Sequence, residues 1–252
     1  MRTITSRSNP EIHNVHALKQ AKERAQEQCF LAEGTRTCTT LFEYKVELVA
    51  LYVTEALIPT ANQIVPDHYP DDNIVLVSQP VMDKISSATT PSGMLGVFRI
   101  PAQKPVAQLT NGVVLASIAD PGNMGTLIRS AAAVGVESVV IVEGTDPWNP
   151  KVVQASAGMI GAVSIFKLTW QELIRHKKNK ELYALVVSGG TSIATVIPDN
   201  ALLVIGNEAH GLTGAQLRDC EHQITLGMPG GTESLNAAVA GSIALYITFV
   251  QR

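Results

Sequence analysis

Three glycine-containing stretches in the second half of the chain carry polar side chains with the potential for chemistry. They are Asp120–Arg129, Gly206–Gly211 and Leu226–Asn236, and they lie beside apolar runs typical of buried strands. Glycine-rich turns expose backbone N–H and C=O groups, which suit a neutral, polar adenosine better than a triphosphate. The candidate polar side chains in these stretches are Asn123, Arg129, Glu208, Ser234 and Asn236.

Common nucleotide and hydrolase signatures are absent from the sequence. Neither Gly-x-Gly-x-x-Gly nor Gly-x-x-x-x-Gly-Lys-[Ser/Thr] occurs, so Rossmann dinucleotide binding and P-loop phosphate binding lose their main support. Gly-x-Ser-x-Gly and His-Glu-x-x-His are also missing, which weakens the case for an α/β-hydrolase or a zinc protease.

The elements that would position these stretches alternate between strand and helix from Gly112 onward. Met124–Val134 predicts a helix that ends at a left-handed Gly135, and a last helix begins near Ser234. This alternation predicts a mostly parallel α/β sheet, in which ligands bind at the carboxyl ends of the strands. The predicted strands are Val113–Ile118, Ser138–Val142, Leu182–Val187 and Ala201–Ile205.

The first 100 residues have a different texture. Asn14–Gln28 predicts one Ala-rich surface helix, and Leu48–Thr54 and Ile74–Ser78 predict strands. A short polar stretch with two prolines predicts a linker at residues 101–110. The sequence therefore predicts a small α/β domain over residues 1–100 and a larger one over residues 111–252.

Composition excludes several classes of protein. The chain has 252 residues with 19 basic against 22 acidic side chains, a net charge of −3, which excludes a strongly basic nucleic-acid coat but not a local basic patch. Three cysteines without a Cys-x-x-Cys pair predict neither a disulfide framework nor a metal site. We expect no membrane span, because the apolar stretch 237–250 is too short, and no secretory signal is visible. A reducing, cytoplasmic compartment is the expected location.

Taken together, the three stretches resemble the signature motifs of the SpoU (TrmH-like) family of RNA ribose 2′-O-methyltransferases, in the SPOUT superfamily. The resemblance covers about residues 111–252, and the motifs stand in the family's order. The matching residues are Asn123, Arg129 and Gly135 for the first motif, Gly206, Glu208 and Gly211 for the second, and Ser234, Leu235 and Asn236 for the third.

The resemblance implies a parallel sheet whose C-terminal segment is threaded through a loop as a trefoil knot. It implies S-adenosylmethionine as the cofactor, no metal, and a homodimer whose active site is completed across the interface. Arg129 would be the catalytic residue near the ribose, with Asn123, Glu208, Ser234 and Asn236 completing the site. The residues expected to hold the cofactor, largely through backbone contacts, are Gly206, Leu226, Met228 and Leu235.

Residues 1–100 resemble the small α/β RNA-binding modules, similar to some ribosomal proteins, that often precede this catalytic domain. The fragment Phe30–Arg36 looks like the early strand and turn of such a module. Residues 1–24 carry a local charge of 5 − 2 = +3, so we expect phosphate contacts there, although a solvated amphipathic helix explains the same charges. The candidate RNA-binding residues are Arg7, Lys19, Lys22, Arg24 and Arg36.

Methyl transfer to a ribose hydroxyl requires alignment of two bound groups and removal of a proton. A guanidinium stays protonated in proteins, so Arg129 is expected to anchor the phosphate beside the target ribose, and Glu208 or a phosphate oxygen would accept the proton. Four of these side chains have a structural alternative: Asn123 and Ser234 could cap helices, Glu208 could cap a helix start, and Arg129 could be a solvated helix residue. Capping explains Asn236 less well.

Ribosomal RNA is the expected substrate, because the N-terminal module suits a folded RNA element. The alternatives are a non-catalytic RNA-binding or assembly protein with the same fold, and a relative that methylates transfer RNA or a base.

Overall fold

A computed structural model describes residues 1–193, 200–231 and 234–250 of the chain. Contacts divide the chain into two compact units. The first contains Met1–Ala102 and Asp146–Ala162, and the second contains Gln103–Thr145 and Val163–Arg252. Among the described residues, no helix combines the length and the apolarity needed to cross a membrane.

The first unit is built on a mixed sheet with the strand order β1-β4-β3-β5-β2. Strands β1, β4 and β3 are parallel neighbours, and β5 runs antiparallel to both β3 and β2. The strands are β1 (Arg2–Ile4), β2 (Cys29–Glu33), β3 (Leu48–Val53), β4 (Ile74–Val77) and β5 (Met94–Arg99). The helices of this unit are α1 (Pro10–Ala17), α2 (Ala21–Glu27), α3 (Thr35–Glu43), α4 (Ile58–Ile64), α5 (Gln79–Ile85) and α7 (Pro150–Ala155).

The prediction of a single surface helix over Asn14–Gln28 is wrong, because the chain forms two helices there, α1 and α2, with a break between them. Asn9 caps α1 and Pro10 occupies its first position, so the helix begins earlier than its alanine content suggests. At Leu18–Gln20 each backbone N–H bonds the carbonyl three residues back, which tightens and ends the helix. Leu18 is buried, and at this break the carbonyls of Leu18 and Lys19 accept hydrogen bonds from Arg24 Nη1.

The predicted RNA contact of Arg24 is also wrong. Its guanidinium is only 2% exposed, and its Nε and Nη2 donate to Asp146 Oδ2 at 2.9 and 2.6 Å. Its Nη1 donates to the carbonyls of Leu18 and Lys19. A guanidinium with these partners is not available to a phosphate.

The segment Asp146–Ala162 belongs to the first unit, although the sequence places it in the larger domain. The ring centroids of Trp148 and Phe30 lie 4.9 Å apart, so this segment contributes to the core of the first unit.

Breaking the ion pair between Arg24 and Asp146 should destabilise the first unit strongly. Arg24→Ala leaves the Asp146 carboxylate without its guanidinium, and removal of one partner from a buried pair costs about 3–5 kcal/mol. Urea unfolding followed by circular dichroism measures the loss. Arg36→Ala is the matched control, because Arg36 is exposed, and its stability should stay within about 0.5 kcal/mol of the wild type. Equal stability of the two variants would contradict the structural role of Arg24.

The second unit is a sheet in which the described residues form seven strands, all in parallel pairs, in the order β10-β12-β9-β11-β6-β7-β8. The predicted parallel α/β sheet is therefore confirmed. The central strands are buried on both faces, which explains their continuous apolar sequence. The strands are β6 (Gly112–Ala116), β7 (Ser138–Val142), β8 (Ser164–Lys167), β9 (Glu181–Leu185), β10 (Thr191–Ser192), β11 (Ala201–Ile205) and β12 (His222–Thr225).

Two helices of this unit lie against each other and flank the loops of interest. They are α6 (Pro121–Ala133) and α10 (Ala237–Phe249), and Gly241 allows a close approach, because a Cβ there would lie 2.5 Å from Leu127 Cδ2. The chain leaves α6 through Gly135 at φ 78°, the left-handed turn that the sequence predicts. The other helices are α8 (Trp170–His176) and α9 (Gly214–Asp219). The trefoil threading of the C-terminal segment stays a prediction.

Candidate functional site

The three polar stretches follow strands β6, β11 and β12 of the parallel sheet. Because all strands of this sheet run in the same direction, their carboxyl ends lie along one edge. The first two stretches leave neighbouring strands, since β6 pairs with β11. Residues 232 and 233 of the third stretch lie outside the described residues.

The carboxylate of Glu208 ties the second stretch to the first. Its Oε1 accepts hydrogen bonds from the backbone N–H of Asp120 at 3.0 Å and from Asn123 Nδ2 at 3.1 Å. Its Oε2 accepts from the backbone N–H of Ala119 at 3.1 Å. Burial raises the pKa of Glu208, but these hydrogen bonds from Asn123 and from the backbone outweigh it and hold the pKa below its usual value. The carboxylate is therefore ionised at neutral pH, and both of its oxygens are engaged.

A second amide links the third stretch to the same network. Asn236 Nδ2 donates to Asn123 Oδ1 at 3.1 Å, while Asn123 Nδ2 donates to Glu208. One continuous chain of hydrogen bonds thus joins one residue from each of the three stretches. The structure brings Asn123, Glu208 and Asn236 together, and their catalytic roles stay predictions.

The residues that cap helices α6 and α10 are not the ones that the sequence suggested. Asp120, not Asn123, caps α6, because its Oδ1 accepts from the backbone N–H of Asn123 at 2.7 Å. Asn236, not Ser234, caps α10, because its Oδ1 accepts from the backbone N–H groups of Ala238 and Val239. Ser234 is exposed and lies at the rim of a cavity.

A cavity of about 360 Å³ lies beside this network. Its size falls within the range of small-molecule sites. All four residues predicted to hold the cofactor line it, and their role as cofactor ligands stays a prediction. The lining includes Gly206, Asn207, Glu208, Leu226, Met228, Ser234 and Leu235.

Gly206 allows the second stretch to fold back on itself at the cavity. A Cβ on Gly206 would lie 2.5 Å from the carbonyl carbon of Gly211 and 2.7 Å from the nitrogen of Leu212, so no side chain fits. Gly206 and Gly211 both line the cavity and have no side chains, so this turn contributes backbone groups to the cavity wall. Backbone donors and acceptors between apolar side chains such as Leu226 suit an adenosine, so the cavity fits a nucleoside-containing cofactor.

Sequence reasoning missed two residues that shape the site. Asp120 was detectable, because an acid directly before a proline is a common helix start. Asn207 carried no such signal: its Nδ2 donates to Ser117 O at 2.9 Å, and its Oδ1 accepts from the backbone N–H groups of Ala209 and His210. These bonds hold the turn in which Glu208 sits.

Arg129 does not join the network within the chain. It lies six residues after Asn123 on α6, about 9 Å further along the helix axis. Its side chain is exposed, on the face that also presents Thr126 and Ala133, and it forms no hydrogen bond or ion pair with any residue that the structure describes. The 3–4 residue spacing of this face explains how an otherwise apolar helix carries a charge.

The remaining predicted RNA-binding residues lie in the first unit. Arg7, Lys22 and Arg36 are exposed. Lys19 is half-buried, and its Nζ donates to the carbonyls of Lys84 and Ser86. Burial lowers the pKa of Lys19. Among the described residues of both units, no group of three or more His, Cys, Asp or Glu could hold a metal ion.

Comparison with known proteins identifies the family. The model of the SpoU rRNA methylase family matches residues 111–246, and that of the MRM3-like substrate-binding domain matches residues 9–96. The chain belongs to the SpoU rRNA methylase family. The resemblance seen in the sequence is therefore confirmed, and the chain is an RNA methyltransferase that uses S-adenosylmethionine.

Relatives and solved structures of the SpoU family cover nearly the whole chain. A tRNA/rRNA methyltransferase of Synechocystis, itself uncharacterised, is 30% identical over 97% of this chain and 92% of its own length. The 23S rRNA (guanosine(2553)-2′-O)-methyltransferase RlmP of Bacillus subtilis is 26% identical and covers 98% of both chains. The AdoMet-bound rRNA methyltransferase of Sinorhizobium meliloti superposes with a TM-score of 0.84 at 25% identity, over 97% of this chain and 96% of that one.

Proposed function

We propose that this chain transfers a methyl group from S-adenosylmethionine to a ribose 2′-hydroxyl of 23S ribosomal RNA, in the cytoplasm. The observation that carries the proposal is the hydrogen-bond chain from Asn236 through Asn123 to Glu208, beside a cavity suited to a nucleoside. The names of the Bacillus relative and of the family support the RNA substrate.

The cavity residues hold and orient the cofactor in this proposal. Gly206 and Leu226 offer backbone groups and an apolar wall to the adenosine, and Met228 and Leu235 border the same space. When bound, the cofactor supplies an electrophilic methyl group. Most of the acceleration then comes from alignment, which can supply on the order of 7–11 kcal/mol.

The proton of the ribose hydroxyl passes to a phosphate oxygen of the RNA in this proposal. Glu208 is a poor acceptor, because hydrogen bonds from Ala119, Asp120 and Asn123 engage both of its carboxylate oxygens and leave neither free for the ribose hydroxyl. Arg129 is excluded as a base because a guanidinium stays protonated. Glu208 instead positions Asn123 and the turn before α6. Arg129 binds the phosphate beside the target ribose with its planar fork.

A homodimer completes the site in this proposal. Helix α10 exposes an apolar stripe in which Val239, Ile243 and Tyr246 are 47%, 41% and 51% exposed. Such a stripe at helical spacing on a surface is typical of an interface. Helix α6, which carries Arg129, packs against α10. Because Arg129 lies outside the network of its own chain, association of two copies through this stripe would let it serve the partner's site.

Charged substitutions in the stripe should separate the dimer. The double variant Ile243→Glu, Tyr246→Glu places two carboxylates where apolar contact is expected, so sedimentation equilibrium should show a monomer. Tyr44→Glu is the matched control: Tyr44 is 45% exposed in the first unit, and this variant should sediment as the wild type does. A monomeric wild type, or a double variant that stays dimeric, would contradict the proposed interface.

Mapping of 2′-O-methyl sites in total RNA, from cells with and without this protein, tests the proposed substrate. We expect one ribose methylation in 23S ribosomal RNA to disappear without the protein and to return with a wild-type copy. Loss of a site in transfer RNA, or of a base methylation, would contradict the proposal. An unchanged methylation map would favour a non-catalytic assembly role.

A further inference from the structure

The loop that follows strand β7, residues 143–145, is hydrogen-bonded to the segment that leaves strand β6. Strands β6 and β7 are parallel neighbours, so both segments lie at the same edge of the sheet as the candidate site. The backbone N–H of Thr145 donates to the carbonyl of Ile118 at 2.9 Å. The Thr145 hydroxyl donates to the carbonyl of Ala119, also at 2.9 Å. Thr145 therefore holds two consecutive carbonyls of the segment after β6.

These two carbonyls belong to the same peptide groups whose N–H groups bind the carboxylate of Glu208. The carbonyl of Ile118 shares its peptide group with the N–H of Ala119, which donates to Glu208 Oε2 at 3.1 Å. The carbonyl of Ala119 shares its peptide group with the N–H of Asp120, which donates to Glu208 Oε1 at 3.0 Å. Each peptide group thus accepts a hydrogen bond from Thr145 on one side and donates one to Glu208 on the other.

A contact at the carbonyl of a peptide group acts on its N–H as well. Because the peptide group is planar, a hydrogen bond that fixes the direction of the carbonyl also fixes the direction of the N–H. The same hydrogen bond polarises the peptide group, which strengthens the bond that its N–H donates. Thr145 therefore fixes and strengthens both backbone donors to Glu208, although it does not touch the carboxylate itself.

The backbone of both segments is held in an unusual conformation. Ser117 and Glu143, the first residues after β6 and β7, have φ values of 58° and 59°, which non-glycine residues rarely adopt. Ser117 Oγ donates to Glu143 Oε2 at 3.1 Å, so the two left-handed residues are bonded to each other. A Cβ on Gly144 would lie 2.4 Å from the carbonyl oxygen of Ile118, so a side chain there would push the loop away. Strained backbone of this kind clusters at functional sites.

We propose that Thr145 is a positioning residue for methyl transfer, which acts through the two peptide groups to hold the carboxylate of Glu208 in place. This inference rests on the proposed function and adds to it a residue outside the three motif stretches. Thr145 is half-buried and does not line the cofactor cavity, so it acts through other groups. Glu208 accepts from Asn123, which is bonded to Asn236, so movement of the carboxylate would loosen the hydrogen-bond chain of the whole site.

Kinetics of Thr145→Val and Thr145→Ser on protein-free ribosomal RNA test this role. Valine keeps the branched shape but loses the hydroxyl donor, whereas serine keeps the donor. We expect Thr145→Val to lower kcat about tenfold, the effect of one lost hydrogen bond, and to leave the KM for RNA and the Kd for S-adenosylmethionine within about twofold. Thr145→Ser should keep kcat near the wild-type value. Thr145→Ala, which also lacks the hydroxyl, should match Thr145→Val and provides the test if valine disturbs folding.

Thr110→Val is the matched control for loss of a threonine hydroxyl in the same unit. Thr110 precedes β6, at the opposite end of that strand from the candidate site. Its hydroxyl is hydrogen-bonded to the hydroxyl of Ser138 at 2.7 Å. This variant should keep the wild-type kcat, because the lost contact does not reach Glu208.

A double-mutant cycle with Glu208→Ala tests whether Thr145 acts through Glu208. Once the carboxylate is removed, Thr145→Val should lower the single-turnover rate no further, because the peptide groups have nothing left to hold. An equal loss in both backgrounds would overturn the inference. Full kcat in Thr145→Val, or a Thr145→Ser variant as slow as Thr145→Val, would also overturn it.

Hydrogen exchange of the Ala119 and Asp120 amides, measured by NMR, separates this inference from the proposed function. Both amides should exchange about tenfold faster in Thr145→Val than in the wild type, and at the wild-type rate in Thr145→Ser. Unchanged exchange in Thr145→Val would overturn the inference. The expected exchange pattern in a wild type that transfers no methyl group to RNA would overturn the proposed function alone.

Discussion

Arg129→Lys should reduce the single-turnover rate of methyl transfer about 100- to 1000-fold. Lysine keeps the positive charge but loses the planar fork that binds a phosphate in one orientation, so the ribose beside it loses its alignment. Loss of one preformed electrostatic contact at a reacting group has an effect of this size. Rapid-quench measurements with labelled cofactor give the rate, and filter binding should show RNA affinity reduced no more than about threefold.

The fold should tolerate this substitution, because Arg129 is exposed and has no partner among the described residues of its own chain. Arg175→Lys is the matched control: Arg175 is an exposed arginine in the last turn of α8 in the same unit, and its variant should keep the wild-type rate. Full activity of Arg129→Lys would remove Arg129 from the reaction.

Gly206→Ala should weaken binding of S-adenosylmethionine about 10- to 100-fold. The added Cβ would meet the backbone of Gly211 and Leu212 at 2.5 and 2.7 Å, and backbone cannot rotate away as a flexible side chain does. The turn would have to open, which moves both the cavity wall and Glu208. Overpacking of this kind costs about 1–3 kcal/mol, which corresponds to that range of affinity. Isothermal titration calorimetry with the cofactor measures the change.

Gly214→Ala provides the control for this substitution. Gly214 begins α9, and the nearest atom to an added Cβ is the end of the Arg218 side chain at 3.6 Å. We expect wild-type cofactor affinity in this variant. Wild-type affinity in Gly206→Ala as well would show that the turn at Gly206 does not form the cofactor site.

The sheet of the second unit could be predicted from sequence because its strands are apolar on both faces. Ser138–Val142 and Ala201–Ile205 have the bounds that their apolar runs predict. The break between α1 and α2 could not be predicted from helix propensity, because side-chain contacts hold the backbone there: Arg24 Nη1 donates to the carbonyls of Leu18 and Lys19. The burial of Arg24 depends on Asp146, which lies 122 residues away in sequence.

The site was only partly predictable for a related reason. The spacing of the three motifs predicted Asn123, Glu208 and Asn236 as site residues. The parallel sheet explains why these residues meet at one edge. Which of the neighbouring side chains caps each helix depends on the local turn, so Asp120 and Asn236 take the roles that sequence alone allowed for Asn123 and Ser234. The place of Arg129 on the exposed face of α6 could not be read from its apolar neighbours.

Product analysis after methyl transfer in vitro tests the central claim most directly. The purified protein is incubated with protein-free ribosomal RNA and methyl-labelled S-adenosylmethionine, and the RNA is then digested to nucleosides. We predict that the label is recovered in one 2′-O-methylnucleoside, and that Gly206→Ala reduces its yield at limiting cofactor. Label on a base, or RNA without label despite bound cofactor, would contradict the claim that these three turns form a ribose methyltransferase site.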